Sequence, residues 1–273
     1  ALVAAPITPL AYHALSGGPT KVSISAPIAA ADPTHTATVD APSVAAAPAT
    51  SYTVLIDGKI KYPGAGVPGQ KLRNQKNSDG HIHAMLIVDA NPIDLNPTGF
   101  TDSWIMANNG TQQIGYGKTA DGVEHALLWL GNAQSAVDLN PNGFTSSQGW
   151  GVSDTQAVGS GTTPVGANHA LLWTGAASSC VDLNPPGFVQ SWAIATNGSE
   201  QVGLGMTAVN PMPHALVWNG TAKSAVDLQQ FLPAGYTMSK ALVITDTGEI
   251  IGIATDGSYR QHNVEWIPTG GGQ

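Results

Sequence analysis

The chain of 273 residues is short of charge. Asp, Glu, Lys and Arg make up 10% of it, against about a quarter in ordinary soluble domains. Its surface must therefore be built from Ser, Thr, Asn, Gln and Gly rather than from ion pairs. Basic residues are the scarcest: 10 Lys+Arg stand against 18 Asp+Glu, a formal net charge of −8. That leaves no basic stripe to neutralise phosphates, which argues against nucleic acid as a partner. A single cysteine, Cys180, rules out an intrachain disulfide. No apolar run reaches the roughly 18 residues of a membrane-crossing helix, so the chain is not expected to span a membrane. There is no Gly-x-Ser-x-Gly elbow, phosphate-binding P-loop or His-Glu-x-x-His zinc motif. The first residues carry no charged and apolar leader pattern, as in a processed secreted protein or a trimmed fragment.

What the chain has in plenty is Gly (32) and Pro (19), spread along its length. They predict short strands divided by turns, not long helices. The apolar segments between them repeat. "HALLWLGNAQSAVDLNPNGF" (125–144) returns as "HALLWTGAASSCVDLNPPGF" (169–188). Aligned on His83, His125, His169, His214 and His262, the copies are 42, 44, 45 and 48 residues apart. Four residues after the His stands Trp129, Trp173, Trp218 or Trp266, with Ile87 in the first copy. Asp94, Asp138, Asp182 and Asp227 each open an Asp-Leu pair, and three copies continue Asn-Pro-x-Gly-Phe. Then Ser103, Ser147, Ser191 or Ser239 opens a small-apolar segment. A turn such as "NGSEQ" or "DTGE" follows, and then a Gly-alternating segment such as "VGLG".

Each copy thus holds four segments of strand length in about 44 residues, the size of one β-propeller blade. The expected fold is all-β: a propeller of about five four-stranded blades, or six if residues 1–50 add strands. The last copy stops after its third strand. "SYTVLIDGKI" (51–60) is expected to supply the fourth and close the ring. The Gly-x-Gly segments are expected on the strands nearest the axis. The chain divides into an Ala/Pro/Thr-rich extended arm (1–50), the propeller (51–268) and a short tail (269–273).

The recurring pattern "HALLW…VDLNP.GF..S.A…NG.QQVG.G" resembles the HAF-type extracellular repeats of bacterial secreted proteins. The resemblance runs from about His81 to Pro268. It departs from the family in reading His-Ala-Leu where the family name implies His-Ala-Phe. It implies an exported protein with a propeller-like repeat fold, located outside the cell or on its surface. It implies no particular activity.

The chemistry-bearing residues mostly recur with the repeat, and active sites rarely repeat with fold symmetry. The His column (His83, His125, His169, His214, His262) is therefore read as structural, opening a strand and bonding a turn. The Asp column (Asp94, Asp138, Asp182, Asp227) is read as turn-capping. Only His81 and His83 stand close enough in sequence to suggest a shared metal. Acids that break the repeat are Glu124, Glu200, Glu249 and Glu265, none with a recognisable partner. No catalytic residue, metal or cofactor is assigned. Ligand-binding candidates are Trp104, Gln148, Trp150 and Trp192, because aromatic plates beside planar amides furnish sugar-binding faces. The expected function is a secreted or cell-surface, non-enzymatic structural or interaction module. The alternatives are a carbohydrate-binding propeller, and a subunit of an extracellular filament or lattice whose arm bridges protomers. The partners in view are a surface glycan, or the protein itself through residues 1–50.

Overall fold

The computed structural model describes residues 51–58 and 66–269. The arm 1–50, and with it the expected bridging of protomers, lies outside the described residues.

The chain is all-β, as its turn-rich composition requires. Among the described residues nineteen strands form five antiparallel sheets in series. Sheet I holds β2 (Gln70–Lys76), β3 (Ile82–Val88) and β4 (Asn91–Asp94). Sheet II holds β5 (Phe100–Asn108), β6 (Gln113–Thr119), β7 (Glu124–Trp129) and β8 (Val137–Asp138). Sheet III holds β9 (Ser146–Val152), β10 (Ala157–Thr162), β11 (Asn168–Trp173) and β12 (Val181–Asp182). Sheet IV holds β13 (Phe188–Thr196), β14 (Gln201–Thr207), β15 (His214–Trp218) and β16 (Val226–Asp227). Sheet V holds β17 (Tyr236–Ile244), β18 (Ile250–Asp256) and β19 (Gln261–Pro268), with β1 (Tyr52–Ile56) added to it from the other end of the chain.

The third strands explain why the apolar runs are continuous rather than alternating. Side chains along a strand point to opposite faces in turn, and here both faces are covered. In β7, Leu127 and Trp129 pack with Ala84, Leu86 and Leu95 of sheet I. Ala126 and Leu128 face the other way and pack with Ala157, Leu171 and Trp173 of sheet III. The same arrangement joins sheets III and IV and sheets IV and V. Trp129, Trp173, Trp218 and Trp266 are all 0% exposed. Burying the apolar surface of a side chain this large stabilises by roughly 3 kcal/mol, offset in part at Trp129, Trp173 and Trp218, whose buried indole N–H has no hydrogen-bond partner among the described residues; the tryptophan column is the mortar between sheets.

The Gly-x-Gly segments form the second strand of sheets II to IV, beside the strand that carries the Ser column, and sheet V keeps only the first glycine, Gly252. The reason is a close approach. In sheets II to V the first strand carries a β-bulge beside the glycine column Gly115, Gly159, Gly203 and Gly252. A Cβ at any of these would run into a first-strand carbonyl oxygen, that of Trp104, Gln148, Trp192 or Lys240. Only glycine lets the two backbones pair there. Sheet I confirms the logic by exception. Among the described residues it has three strands and no such first strand, and Arg73 fills the glycine column, paired across to Met85 as Gly115 is to Leu127. The edge of β2 is exposed from Lys71 to Lys76. Its Lys71, Arg73 and Lys76 suit a free edge, where charged side chains discourage further strand pairing.

The strand expected from residues 51–60 is β1. It pairs with β19 along its whole length, Val54 opposite Trp266. Tyr52, Val54 and Ile56 lie against the sheet IV–V cluster, while Thr53 and Leu55 are exposed. The strand is shorter than expected, and residues 59 and 60 lie outside the described residues.

Candidate functional site

The repeat residues meet in one bonded chain that recurs from sheet to sheet. In sheet II, His125 Nδ1 lies 2.7 Å from Asp138 Oδ2, and Asp138 Oδ1 accepts the Asn140 N–H at 2.8 Å. Ser147 Oγ, from sheet III, donates to Asn140 Oδ1 at 2.8 Å and accepts the Ala126 N–H at 3.0 Å. Ser191 closes the same circuit between sheets III and IV, and Ser239 does so between IV and V through Gln229. Ser103 accepts the Ala84 N–H between I and II. Asp fixes a turn, the turn presents an amide, and the amide holds the serine that satisfies a buried backbone donor of the preceding sheet. An unmet buried donor costs about 1–3 kcal/mol, so each circuit braces two sheets. His81 and His83 do not converge on one point. His81 faces Asp102 at 3.1 Å, and His83 faces Asp94 at 2.8 Å. Among the described residues no group of three or more His, Cys, Asp or Glu is placed to hold a metal.

His262 has a partner that the repeat pattern did not reveal: Asp57, just past β1. Its Nδ1 lies 2.6 Å from Asp57 Oδ2, and its Nε2 lies 3.2 Å from Asp256 Oδ2. The signal was "VLIDG" standing for "AVDLN", without the Leu-Asn that marks the other copies. The bond to Asp57, then that to Asp256, raises the His262 pKa above its ordinary 6.5. Asp57 is lowered, chiefly by His262. Asp256 is held at about 2, chiefly by the Arg260 backbone N–H. The histidine's contribution is complete below 6.5 and is lost as pH rises through its raised value. The carboxylates' contributions are complete above 3.8 and are lost as pH falls through their lowered values. The clasp holding β1 is therefore tightest between 3.8 and 6.5. Amide exchange protection of β1 is expected to be greater at about pH 5.5 than at about pH 9, and His262→Gln should flatten the difference. A difference unchanged in the variant would assign it to other groups.

The aromatic candidates divide. Trp104 stacks on Tyr116, with centroids 4.9 Å apart at 19°, and Trp150 tilts toward the same tyrosine at 6.5 Å. Gln148 Nε2 donates to Glu124 Oε2 at 2.6 Å, and Trp150 Nε1 to Ser160 Oγ at 3.3 Å. Burial, then the Glu124 charge, pushes the Tyr116 hydroxyl up to about 12. Trp192 lies apart in sheet IV, buried and paired with Leu204. Tyr116 stands at the middle position of a Gly-x-Gly, where Ser160 and Leu204 stand in sheets III and IV, and that departure from the repeat was its one sequence signal. These bonds tie Gln148 to sheet II and Trp150 within its own sheet III, contacts that pack the sheets as well as fix the two side chains. Cys180, half-buried beside the sheet II–III cluster, is likewise filler; burial pushes its thiol up to about 12.

Two open cavities among the described residues border the turns and the braces. One, of about 420 Å³, is lined by a turn from each of four consecutive sheets: Asn109, Asp154, Asn197 and Asp246. These turns are tied together, Asn109 Nδ2 donating to Asp154 Oδ1 and Asn197 Nδ2 to the Thr245 carbonyl. The other, of about 440 Å³, lies between sheets IV and V. Its lining includes Asn210, Met212, His214, Gln229, Tyr236 and Tyr259.

Fold and braces together define an all-β repeat protein of antiparallel sheets packed in series. No protein-family model matches the chain, and no curated protein matches it in sequence. Among solved structures it is similar to TolB from Acinetobacter baumannii, with a TM-score of 0.46 and 6% sequence identity. The likeness covers 74% of this chain and 52% of that one, so the chain spans about half the length of that structure. Among the described residues no helix is long and apolar enough to cross a membrane.

Proposed function

We propose that the chain is a five-bladed β-propeller, exported from a bacterial cell, that acts outside it as a non-enzymatic interaction module. The observation that carries the reading is where the reactive side chains go. The His, Asp, Asn and Ser of the repeats bond one another and the backbone as braces. Radial packing is supported by the opening that turns from four successive sheets line together. Closure is supported by β1, which brings the first of the described strands to the last sheet. A sixth blade would need strands from residues 1–50. The exterior location rests on the low charge and on the resemblance to HAF-type repeats.

Carbohydrate binding is the second reading, favoured by the tyrosines and amides lining the cavity between sheets IV and V. One experiment addresses both. The purified full chain is applied to an array of neutral oligosaccharides, and the same sugars are assayed for release of reducing ends. Binding without release is the expected result. Steady release would refute the non-enzymatic reading.

A further inference from the structure

The connection between the second and third strands reverses the chain at the same point in sheets I to III. Three residues before the His stands Gly80, Gly122 or Gly166, with φ of 93°, 81° and 84°. This left-handed region suits glycine and strains a bulky residue. In sheet V the position is filled by Tyr259, at φ 63°. Its side chain is 81% exposed, so it contributes little packing to offset the strain. It is the one largely exposed aromatic side chain among the described residues.

The neighbouring connection in sheet IV breaks the repeat as well. It reads "AVNPMP" before His214, without glycine, and exposes Met212. The two divergent connections flank the cavity of about 440 Å³, and Tyr236 joins its lining from β17. The polar groups there are held in place. Asn210 Nδ2 donates to His214 Nε2 at 3.1 Å, and Asn210 Oδ1 accepts the Met212 N–H at 3.1 Å. Gln229 Nε2 donates to the Tyr236 carbonyl at 2.9 Å. No Asp, Glu, Lys or Arg lines the cavity. Its one histidine, His214, is already paired with Asp227 at 2.8 Å. A ligand with an apolar ring face and a rim of hydroxyls would find aromatic faces, a thioether and fixed amides.

We propose that this cavity binds a neutral saccharide, with Tyr259 as the platform on which a sugar ring stacks. The proposal rests on the reading of the chain as a binding module and names the site. Backbone strain kept at an exposed, repeat-breaking aromatic is what a ligand-contacting residue would show.

The test uses the full chain. Neutral cello-, xylo-, manno-, malto- and chito-oligosaccharides are screened on the array, and the best binder is titrated by calorimetry. Tyr259→Gly is expected to weaken binding at least about tenfold. Its melting temperature should stay level or rise, because glycine adopts this backbone without strain. Tyr259→Phe should keep most of the affinity, since the ring face remains. An array silent for every sugar overturns the proposal. Binding that survives Tyr259→Gly also overturns it, but leaves the binding-module reading intact. A melting temperature that falls in Tyr259→Gly would make the tyrosine structural and overturn the proposal too. Release of reducing ends by the unaltered chain refutes the non-enzymatic reading, whatever Tyr259 does.

Discussion

Gly203→Ala should destabilise the protein by about 3 kcal/mol or more, at the upper end of overpacking costs. The new methyl group would run into the Trp192 carbonyl oxygen and the Ala193 backbone. Those atoms belong to β13, which is bulged at this point and packed on both faces. No flexible side chain can yield, so β13 must pull away from β14 or the bulge must reshape. For a domain of this size the loss corresponds to a drop of roughly 6–12 °C in melting temperature. The comparison is Arg73→Ala, at the same column of sheet I. Among the described residues no first strand lies against β2 there, and the side chain is exposed. That change should stay within about 0.5 kcal/mol. Denaturant titration of both variants measures the contrast. Equal and small effects would mean that β13 does not approach β14 as described.

Val54→Asp should cost about 2–4 kcal/mol by placing a carboxylate in the sheet IV–V cluster without a partner. Val54 lies opposite Trp266 and packs in that cluster. The neighbouring Thr53 points the other way and is exposed. Thr53→Asp should therefore change stability by less than about 0.5 kcal/mol. The pair tests the register of β1, because slipping a strand by one residue exchanges its buried and exposed faces. Loss of β1 would also bare the edge of β19, an open template for pairing with another chain. Val54→Asp is accordingly expected to aggregate at lower temperature than the parent, as light scattering during heating would show. A Thr53 variant as damaged as the Val54 variant would refute the register.

The braces show how far pattern reading reaches. His125 and Asp138 recur at fixed distance in sequence, and one antiparallel pair of strands brings them together. Their neighbourhood is local and so could be expected from the repeat. The serine column recurs as plainly, yet its partner, the N–H of Ala126, belongs to the preceding sheet. Asp57 was missed for a related reason. Its histidine lies at the opposite end of the chain, and only the addition of β1 to sheet V joins them. The aromatic candidates were chosen by column, but Trp104 and Trp150 meet through Tyr116, and Trp192 does not share that contact.

The sequence by itself determined the strands, their turns and the order of the repeats. These follow from alternation, glycine and proline chemistry, and hydrogen bonds between near neighbours, all of them properties of short stretches of chain. It also marked where the repeats disagree. Only the tertiary structure decided what those disagreements do. It placed Tyr259 and Met212, 47 residues apart, on the rim of one cavity. It turned the glycine column from a mark of small strands into the point where two backbones nearly touch. The physical reason is that backbone conformation is set residue by residue, whereas cavities and contacts between sheets depend on how completed sheets pack against one another.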